Sequence, residues 1–320
     1  MARYVKVATI AMNTISVANK PSGISILEYE IAHVDAHIKQ VLPDKPDLIV
    51  LPEVCDRPDD LSAQGQKEYY KERGDGYLKH MQEVAKTNHC YIGFGSHRFL
   101  EDGTGRNSFY MVGRNGEIVG IYDKNYIVPN ETTNLNILCG EDIAIFDCDF
   151  GRVGAILCFD LNFHEVLSKY KKADPDLMIF ASMFGGGLMK NFLAFDNRCY
   201  LVTSCAGNNP GDIINPLGVC LGTTCVAEHY VVRTLNLDYE VIHRDNHKGK
   251  FVEMKEKYGE FIEREHIGYV GVDLLTYKGT DKTIKDILAE YDVISCEEYL
   301  EVSRQHRAAH TALNLNSEKH

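Results

Sequence analysis

The chain has 320 residues, with a hydrophobic share of 44% and a charged share of 25%, as in an ordinary soluble globular protein. Its formal net charge of −12 argues against a nucleic-acid groove, because phosphate neutralisation requires clustered lysines and arginines. No apolar run approaches the roughly 20 residues that a membrane span requires. We therefore expect neither nucleic acid nor a membrane among its partners.

The ten cysteines predict a reducing compartment rather than a disulfide framework, since no apolar signal segment precedes the first strand pattern. Their spacings contain no Cys-x-x-Cys pair. The histidines also lack recognisable zinc spacing; those considered are His164, His229, His243 and His247. We therefore expect a cytoplasmic protein without a structural metal.

Strand-like runs alternate with helical patterns along the first half, which predicts an α/β layered fold. Apolar residues recur every three or four positions between Ile24 and Val41, a spacing that marks one face of a helix. We expect this helix at the surface and give its Glu28 and Glu30 no catalytic role. The other predicted elements are strands at Val5–Ala11, Leu48–Leu51, Tyr91–Phe94, Ser108–Val112 and Ile118–Tyr122, a helix at Gly76–Thr87 and a hairpin turn at Gly113–Gly116.

The second half continues the alternation without a detectable sequence repeat. Strands are expected at Ile143–Phe146, Val153–Leu157, Leu177–Ala181, Leu201–Ser204 and Val219–Leu221, and helices near Phe163–Tyr170 and Leu188–Arg198. Beyond about Asn236 the periodicity weakens, although Ile284–Arg307 is expected to be helical and charged. The last stretch, Thr311–His320, is expected to be disordered or packed on a neighbouring chain.

Three apolar runs lead to reactive side chains of complementary chemistry. Residues 47–53 end on the carboxylate of Glu53, residues 122–124 end on the ammonium of Lys124, and residues 153–160 carry the thiol of Cys158. Enzymes of the α/β class place their chemistry where buried strands end, at the carboxyl edge of a sheet. We therefore expect the three side chains to meet in one hydrolytic site.

These motifs resemble the signature of a known family. Leu-Pro-Glu, Tyr-x-Lys and Gly-x-x-x-Cys-Phe-Asp follow one another as in the Glu–Lys–Cys signature of the nitrilase (carbon–nitrogen hydrolase) superfamily, and the likeness runs from about Val5 to about Asp238. It implies a nitrilase-like four-layer α-β-β-α sandwich of two mixed β-sheets, and a homodimer or higher homo-oligomer paired through one helix layer. We assign residues 1–280 to the carbon–nitrogen hydrolase domain and 281–320 to a C-terminal helical extension that packs on a neighbouring subunit.

The resemblance also supplies a role for each reactive side chain. Cys158 is the expected nucleophile, and the helix after it is expected to favour the thiolate. Glu53 is the expected general base and acid, while Lys124 and the backbone N–H of Phe159 are expected to stabilise an oxyanion. Each residue by itself also has an ordinary alternative, namely a buried core cysteine, a loop carboxylate and a solvated lysine.

Four further residues extend the expected site. In the family a second glutamate follows the lysine and orients it, and Glu131 has a compatible spacing. Tyr126 and Phe184 are candidate substrate-binding aromatics, since the chain has no tryptophan. Asn162, a further candidate, stands where the ω-amidase branch has an arginine, so a dicarboxylic half-amide is a less favoured substrate. The glycines at 185–187 indicate a mobile mouth, a close backbone approach to the ligand or a plain loop.

The leading hypothesis is an amidase that releases ammonia from a small-molecule amide through a Cys158 thioester, with no metal or organic cofactor. An N-carbamoyl (ureido) amidohydrolase or an acyltransferase with the same site remains open. A non-enzymatic binding or scaffold protein with this fold also remains open, although the three intact reactive residues argue against it. A flavodoxin-like nucleotide binder is disfavoured, because no Gly-x-Gly-x-x-G follows the first strand.

Overall fold

The computed structural model describes residues 1–245, 247–268 and 271–311. Residue contacts divide the chain into two compact units. Residues 5–235 form the larger unit, and residues 1–4 together with those from 236 onward form the smaller one. Apart from Thr311, the tail predicted at Thr311–His320 lies outside the described residues.

The larger unit contains two mixed β-sheets. In chain order its strands are β1 (Tyr4–Ile10), β2 (Leu48–Val50), β3 (Tyr91–Phe99), β4 (Gly105–Val112), β5 (Ile118–Asp123), β6 (Ile145–Cys148), β7 (Gly151–Leu157), β8 (Leu177–Ser182), β9 (Tyr200–Cys205), β10 (Asp212–Ile214), β11 (Cys220–Thr223) and β12 (Tyr230–Asn236). One sheet has the order β12-β1-β2-β3-β4-β5 and the other has the order β11-β10-β9-β8-β7-β6. The strands β1–β2–β3 and β7–β8–β9 pair in parallel, and antiparallel strands extend each sheet.

Helices cover the outer face of each sheet. They are α1 (Ile26–Val41), α2 (Ala63–Arg73), α3 (Gly76–Asn88), α4 (Pro129–Leu135), α5 (His164–Ala173) and α6 (Leu188–Asn197). Helix α1 begins at a capping box, in which Ser25 and Glu28 each accept a hydrogen bond from the other's backbone N–H. Helices α1 and α3 bury apolar residues in one core with the first sheet, and α5 and α6 do so with the second.

The two sheets lie face to face. The Thr9 hydroxyl of β1 donates to the Thr203 carbonyl of β9 at 2.6 Å, and the Ser204 hydroxyl donates to the Ile10 carbonyl at 2.6 Å. Strands β2, β8 and β9 are buried along their whole length, because each is covered on both faces. The predicted four-layer α-β-β-α sandwich of two mixed sheets is confirmed.

The smaller unit has its own sheet and core, which the weak periodicity after Asn236 did not predict. Its elements are β13 (Tyr239–His243), α7 (Lys248–Tyr258), β14 (Ile262–His266), β15 (Val272–Tyr277), α8 (Ile284–Glu290) and α9 (Cys296–Ala309). The strands form an antiparallel sheet of order β13-β15-β14, and an apolar cluster joins it to α7 and α8. That residues 281–320 form an extension separate from the hydrolase domain stays a prediction.

Two expectations about helices were wrong. The helix predicted over Ile284–Arg307 is interrupted, because α8 ends at Glu290 and Ser295 starts α9 with a capping box to Glu298. Glu30 of α1 is not at the surface, since only 1% of it is exposed. Among the described residues, no helix combines the length and the apolar character that crossing a membrane demands.

Candidate active site

Each of the three predicted reactive residues lies within three residues of the end of a strand. Glu53 follows β2, Lys124 follows β5 and Cys158 follows β7. The Lys124 ammonium lies 2.8 Å from Glu53 Oε1, and both side chains are almost fully buried. Cys158 lies close enough for the charges of Glu53 and Lys124 to act on its thiol. The structure therefore brings the three side chains together, as the sequence predicts.

Glu53 occupies a tight loop against strand β3. The Gly95 N–H donates to the Pro52 carbonyl at 3.0 Å, and the Gly95 carbonyl accepts from the Cys55 N–H at 3.0 Å. A Cβ on Gly95 would lie 2.6 Å from the Glu53 Cα and 2.8 Å from the Val54 nitrogen. Only glycine therefore allows the loop that carries Glu53 to pass this close to β3.

Lys124 lies between two carboxylates. Its Nζ is 2.8 Å from Glu53 Oε1 and 3.0 Å from Glu131 Oε2. The Asn107 side-chain amide donates to Glu53 Oε1 and to Glu131 Oε1, at 2.8 Å in both cases. The Glu131 carboxylate also accepts from the Val128 N–H at the start of α4. These bonds fix the direction of the ammonium group, because each of its carboxylate partners is itself held by further donors.

Cys158 sits at a sharp turn between β7 and a 3₁₀ turn over Cys158–Asn162. Its φ is +46°, a left-handed backbone conformation that residues other than glycine rarely adopt. The buried Asp160 carboxylate holds this turn by accepting hydrogen bonds from Leu157 N–H at 3.2 Å, Tyr126 N–H at 2.8 Å and Tyr122 O–H at 2.7 Å. Burial raises the pKa of Asp160 to about 6, and these bonds oppose that rise. Asp160 is thus a support for the nucleophile.

The electrostatics of the site hold Cys158 as a thiol. Burial and then the negative charge of Glu53 raise its pKa to about 12, whereas Lys124, Met183 and Ser182 lower it by less. Helix α5 begins at His164, as expected, but burial and the charge of Glu53 outweigh any effect that favours the thiolate, so the thiolate is not the favoured form. A base must therefore accept the thiol proton when the nucleophile attacks.

The charges of Lys124 and Glu131 sustain each other. Burial alone would lower the pKa of Lys124, but the carboxylates of Glu53 and Glu131 raise it above its ordinary value. Burial alone would likewise raise the pKa of Glu131, but contacts with His97, Lys124 and Asn107 lower it to about 2. Both groups are therefore ionised at neutral pH.

The predicted substrate-binding residues lie beside the nucleophile turn. The Tyr126 ring stacks on Phe163 with centroids 3.7 Å apart, and Phe163 meets Phe159 edge to face at 5.1 Å. The Phe184 ring packs edge to face on Phe180 in the core of the second sheet. The exposed Asn162 donates its amide to the Phe159 carbonyl at 3.0 Å. Each of the three candidates thus has a structural contact, and their substrate-binding role stays a prediction.

Sequence reasoning missed the backbone of Met183 and the side chain of Asn107. The Met183 N–H donates to Glu53 Oε2 at 3.1 Å, so the segment after β8 holds the second oxygen of this carboxylate. Gly186 packs closely against side chains of the protein, and the three interpretations of the glycines at 185–187 stay predictions. A Cβ on Gly186 would lie 2.8 Å from Lys190 Cγ and 2.9 Å from Leu161 Cδ2.

A cavity of about 270 Å³ adjoins this segment. It is lined by Ala11, Asn13, Asn208, Asn209, Pro210, Thr224, Cys225, Val226 and His229. The Asn209 amide donates to the Met183 carbonyl at 3.3 Å, which links the cavity wall to the residue that holds Glu53. Within the described part of the chain, no group of three or more histidine, cysteine, aspartate or glutamate side chains could hold a metal ion.

The sequence of the larger unit matches a family model. Residues 6–237, most of the chain, match the carbon–nitrogen hydrolase family. The chain belongs to the carbon–nitrogen hydrolase family. This range agrees with the likeness from about Val5 to about Asp238 that the motifs indicated.

Curated relatives of this carbon–nitrogen hydrolase are similar at low identity. Nitrilase homolog 2 of Dictyostelium discoideum is 24% identical over 250 residues, which cover 68% of this chain and 75% of that protein. Omega-amidase NIT2 of Homo sapiens is 22% identical over 236 residues, which cover 67% of this chain and 85% of that protein.

Solved structures share the fold of this hydrolase. Saccharomyces cerevisiae Nit3, a member of branch 10 of the nitrilase superfamily, aligns with a TM-score of 0.64 at 15% identity, over 81% of this chain and 95% of that chain. A mutant of the Nesterenkonia AN1 amidase aligns with a TM-score of 0.63 at 13% identity, over 72% of this chain and 90% of that chain.

Proposed function

We propose that this carbon–nitrogen hydrolase is a thiol-dependent amidase that cleaves the C–N bond of a small linear amide and releases ammonia. The observation that carries the proposal is the buried Glu53–Lys124–Glu131 array beside the Cys158 turn. It combines a base, a fixed cation and a nucleophile, which are the groups that acyl transfer from nitrogen requires.

The first chemical step forms a thioester. Glu53 takes the proton from the Cys158 thiol, since burial keeps that thiol protonated at neutral pH. The thiolate attacks the carbonyl carbon of the amide, and the Lys124 ammonium and the Phe159 N–H bind the resulting oxyanion. One such donor contributes about 2.7–4 kcal/mol to transition-state stabilisation. Glu53 then returns the proton to the departing nitrogen, and ammonia leaves.

The second step regenerates the enzyme. Glu53 takes a proton from water, the hydroxide attacks the thioester carbon, and Lys124 and the Phe159 N–H again bind the oxyanion. Collapse of this intermediate expels the Cys158 thiolate, which Glu53 reprotonates, and a carboxylic acid leaves. Glu131 orients the ammonium throughout. Side chains of the protein and one water perform every step, so the proposal needs no cofactor.

The relatives support an amide as the substrate. Two of them are named 2-oxoglutaramate amidase and Deaminated glutathione amidase. A glutamate-to-glutamine mutant of the amidase from Nesterenkonia sp. AN1 shows covalent addition of the acetamide moiety of fluoroacetamide at the active site cysteine. An N-carbamoyl amidohydrolase or an acyltransferase would use the same acyl-enzyme and differ in the acyl group or its acceptor. A scaffold protein would not need the paired charges around Lys124.

Assembly and location complete the proposal. Leu188, Met189 and Phe192 of α6 are 86%, 42% and 53% exposed, an apolar face that supports a homodimer paired through this helix layer. We assign the protein to the cytoplasm, since the spacings of its ten cysteines do not indicate a disulfide framework and a thiol-rich chain suits a reducing compartment. The only further partner we propose is the small amide substrate.

The test is ammonia release from a panel of small amides, ureido compounds and nitriles by wild type, Cys158→Ala and Cys220→Ala. Cys220 is exposed on β11 and serves as the matched control. We expect release by wild type and Cys220→Ala, none by Cys158→Ala, and a mass increase on the Cys158 peptide during turnover. Activity that survives in Cys158→Ala would refute the mechanism. Selective turnover of ureido compounds would instead identify the carbamoyl alternative.

A further inference from the structure

His97, on strand β3, lies beside Glu131 of the Glu53–Lys124–Glu131 array. It is 1% exposed, and in the sheet it stands directly opposite Asn107 of β4. Cross-strand partners project their side chains on the same face. His97 therefore faces the same space as the amide that bonds both Glu53 and Glu131.

The two ring nitrogens of His97 have different surroundings. Nδ1 lies 3.1 Å from the Tyr70 hydroxyl. Nε2 lies 3.9 Å from Glu131 Oε1 and has no hydrogen-bond partner among the described residues. A separation of 3.9 Å is longer than a standard hydrogen bond, yet the contact with His97 lowers the pKa of the Glu131 carboxyl, so the ring acts on this carboxylate at close range.

Either the Tyr70 hydroxyl or the His97 Nδ1 can be the donor in the hydrogen bond between them, and we take the phenol as the donor. Burial raises the pKa of Tyr70 well above its ordinary value, so the phenol keeps its proton and can donate it to His97 Nδ1. A ring that accepts at Nδ1 carries its own proton on Nε2. Burial also lowers the pKa of His97 more than the Glu131 carboxylate raises it, so the ring is neutral.

We propose that His97 is a positioning residue of this site, whose neutral ring directs its Nε2–H at the Glu131 carboxylate and so keeps Glu131 aimed at Lys124. The inference rests on the proposed function for its kinetic consequence. Glu131 Oε2 accepts from Lys124 and from Val128 N–H, while Oε1 accepts from Asn107 and faces His97. Donors on both oxygens prevent the carboxylate from rotating away from the ammonium.

Paired substitutions separate positioning from packing. His97→Leu fills the space without a donor, whereas His97→Gln places an amide N–H near the position of Nε2. We expect His97→Leu to lower kcat about 10-fold, with KM nearly unchanged, because Glu131 Oε1 loses one of the groups that hold it. His97→Gln should recover most of kcat. His80→Leu, which removes a half-buried histidine bonded to Asp35 at 2.7 Å, is the matched control and should leave kcat unchanged.

A second measurement does not depend on turnover. Long-range ¹H–¹⁵N correlation spectra of ¹⁵N-histidine-labelled protein report the tautomer of each ring, and the spectrum of His97→Gln identifies the His97 resonances. We expect a neutral ring protonated on Nε2 at pH 7, and a shift toward the Nδ1–H form in Tyr70→Phe. An Nδ1–H tautomer or an imidazolium in wild type would overturn the proposal.

The kinetic comparison and the tautomer measurement together distinguish a failure of this inference from a failure of the proposed function. Equal kcat losses in His97→Leu and His97→Gln, or a loss confined to KM, would assign His97 to packing and overturn its positioning role. If wild type hydrolyses no amide, ureido compound or nitrile, the proposed function fails, and the tautomer still decides whether His97 presents a donor to Glu131.

Discussion

The ionisation of Glu30 predicts how the stability of this protein depends on pH. Glu30 is buried in α1, and neither of its carboxyl oxygens has a hydrogen-bond partner among the described residues. Burial, followed by the negative charges of Asp56 and Asp59, raises its pKa from 4.5 to about 9. At neutral pH the folded protein therefore holds a proton on Glu30 that the unfolded chain has released.

The sign and size of the effect follow from this difference in pKa. The contribution of Glu30 to stability is fully present below pH 4.5, falls as pH rises toward about 9, and is constant above that. Between pH 4.5 and about 9, each pH unit lowers the free energy of unfolding by about 1.4 kcal/mol for one proton, so the whole range lowers it by about 6 kcal/mol at most. Between about pH 6 and pH 8 the loss is about 3 kcal/mol.

The substitution Glu30→Gln removes the titration and keeps the shape of the protonated acid. We expect the free energy of unfolding of Glu30→Gln, relative to wild type, to increase by about 1.4 kcal/mol per pH unit between about pH 6 and pH 8. Urea unfolding followed by circular dichroism at three pH values measures this difference. Glu72→Gln, on an exposed position of α2, is the control and should give a difference independent of pH.

A pH-independent difference between Glu30→Gln and wild type would refute the reasoning. It would mean that Glu30 has the same pKa in the folded and unfolded states, and hence that water or a cation reaches its carboxylate inside α1. A slope of opposite sign would require the carboxylate to be stabilised by a positive group.

Three further predictions concern the geometry of the site and the assembly. Gly95→Ala places a Cβ 2.6 Å from the Glu53 Cα, so we expect a loss of about 1–3 kcal/mol in urea unfolding and a lower kcat. Gly249→Ala, in helix α7 with open space around it, should keep kcat and leave the free energy of unfolding equal or slightly higher, because alanine favours a helix. Asp160→Asn leaves the nucleophile turn with one acceptor oxygen in place of two, so kcat should fall by about 10-fold or more; an unchanged rate of hydrolysis would contradict the supporting role of this carboxylate. Phe192→Lys places a charge on the exposed apolar face of α6 and should shift sedimentation toward the monomer, and an unchanged profile would place the dimer contact elsewhere.

The sequence predicted the reactive residues of the site because each belongs to a local pattern. Glu53, Lys124 and Cys158 end or follow apolar runs; the first two follow strands of the first sheet, and Cys158 follows a strand of the second sheet, which faces it. Asn107 and His97 do not follow an apolar run, so no local sequence pattern distinguishes them. They lie inside strands β4 and β3, and only the pairing of these strands places both beside the array.

Other features depend on tertiary burial that no local pattern reports. The raised pKa of Cys158 comes from desolvation and from the charge of Glu53, which is distant in sequence. Glu30 did have a readable position, since it lies three residues after Leu27 and four before Val34, on the apolar face of α1. The sheet after Asn236 has short strands, and β14 exposes most of its side chains, so its alternation is weak.

The hydrogen bond from Met183 to Glu53 joins positions 130 residues apart, and this separation orders events during synthesis. The ribosome completes β2 and β7 well before the segment that closes the site has emerged, since domains assemble as the chain leaves the exit tunnel from its amino end. Until β8 and β9 join their sheet, Cys158 is an ordinary exposed thiol with a reactivity that burial later suppresses. Cys158 therefore acquires the burial that protects its thiol only after β8 pairs with β7.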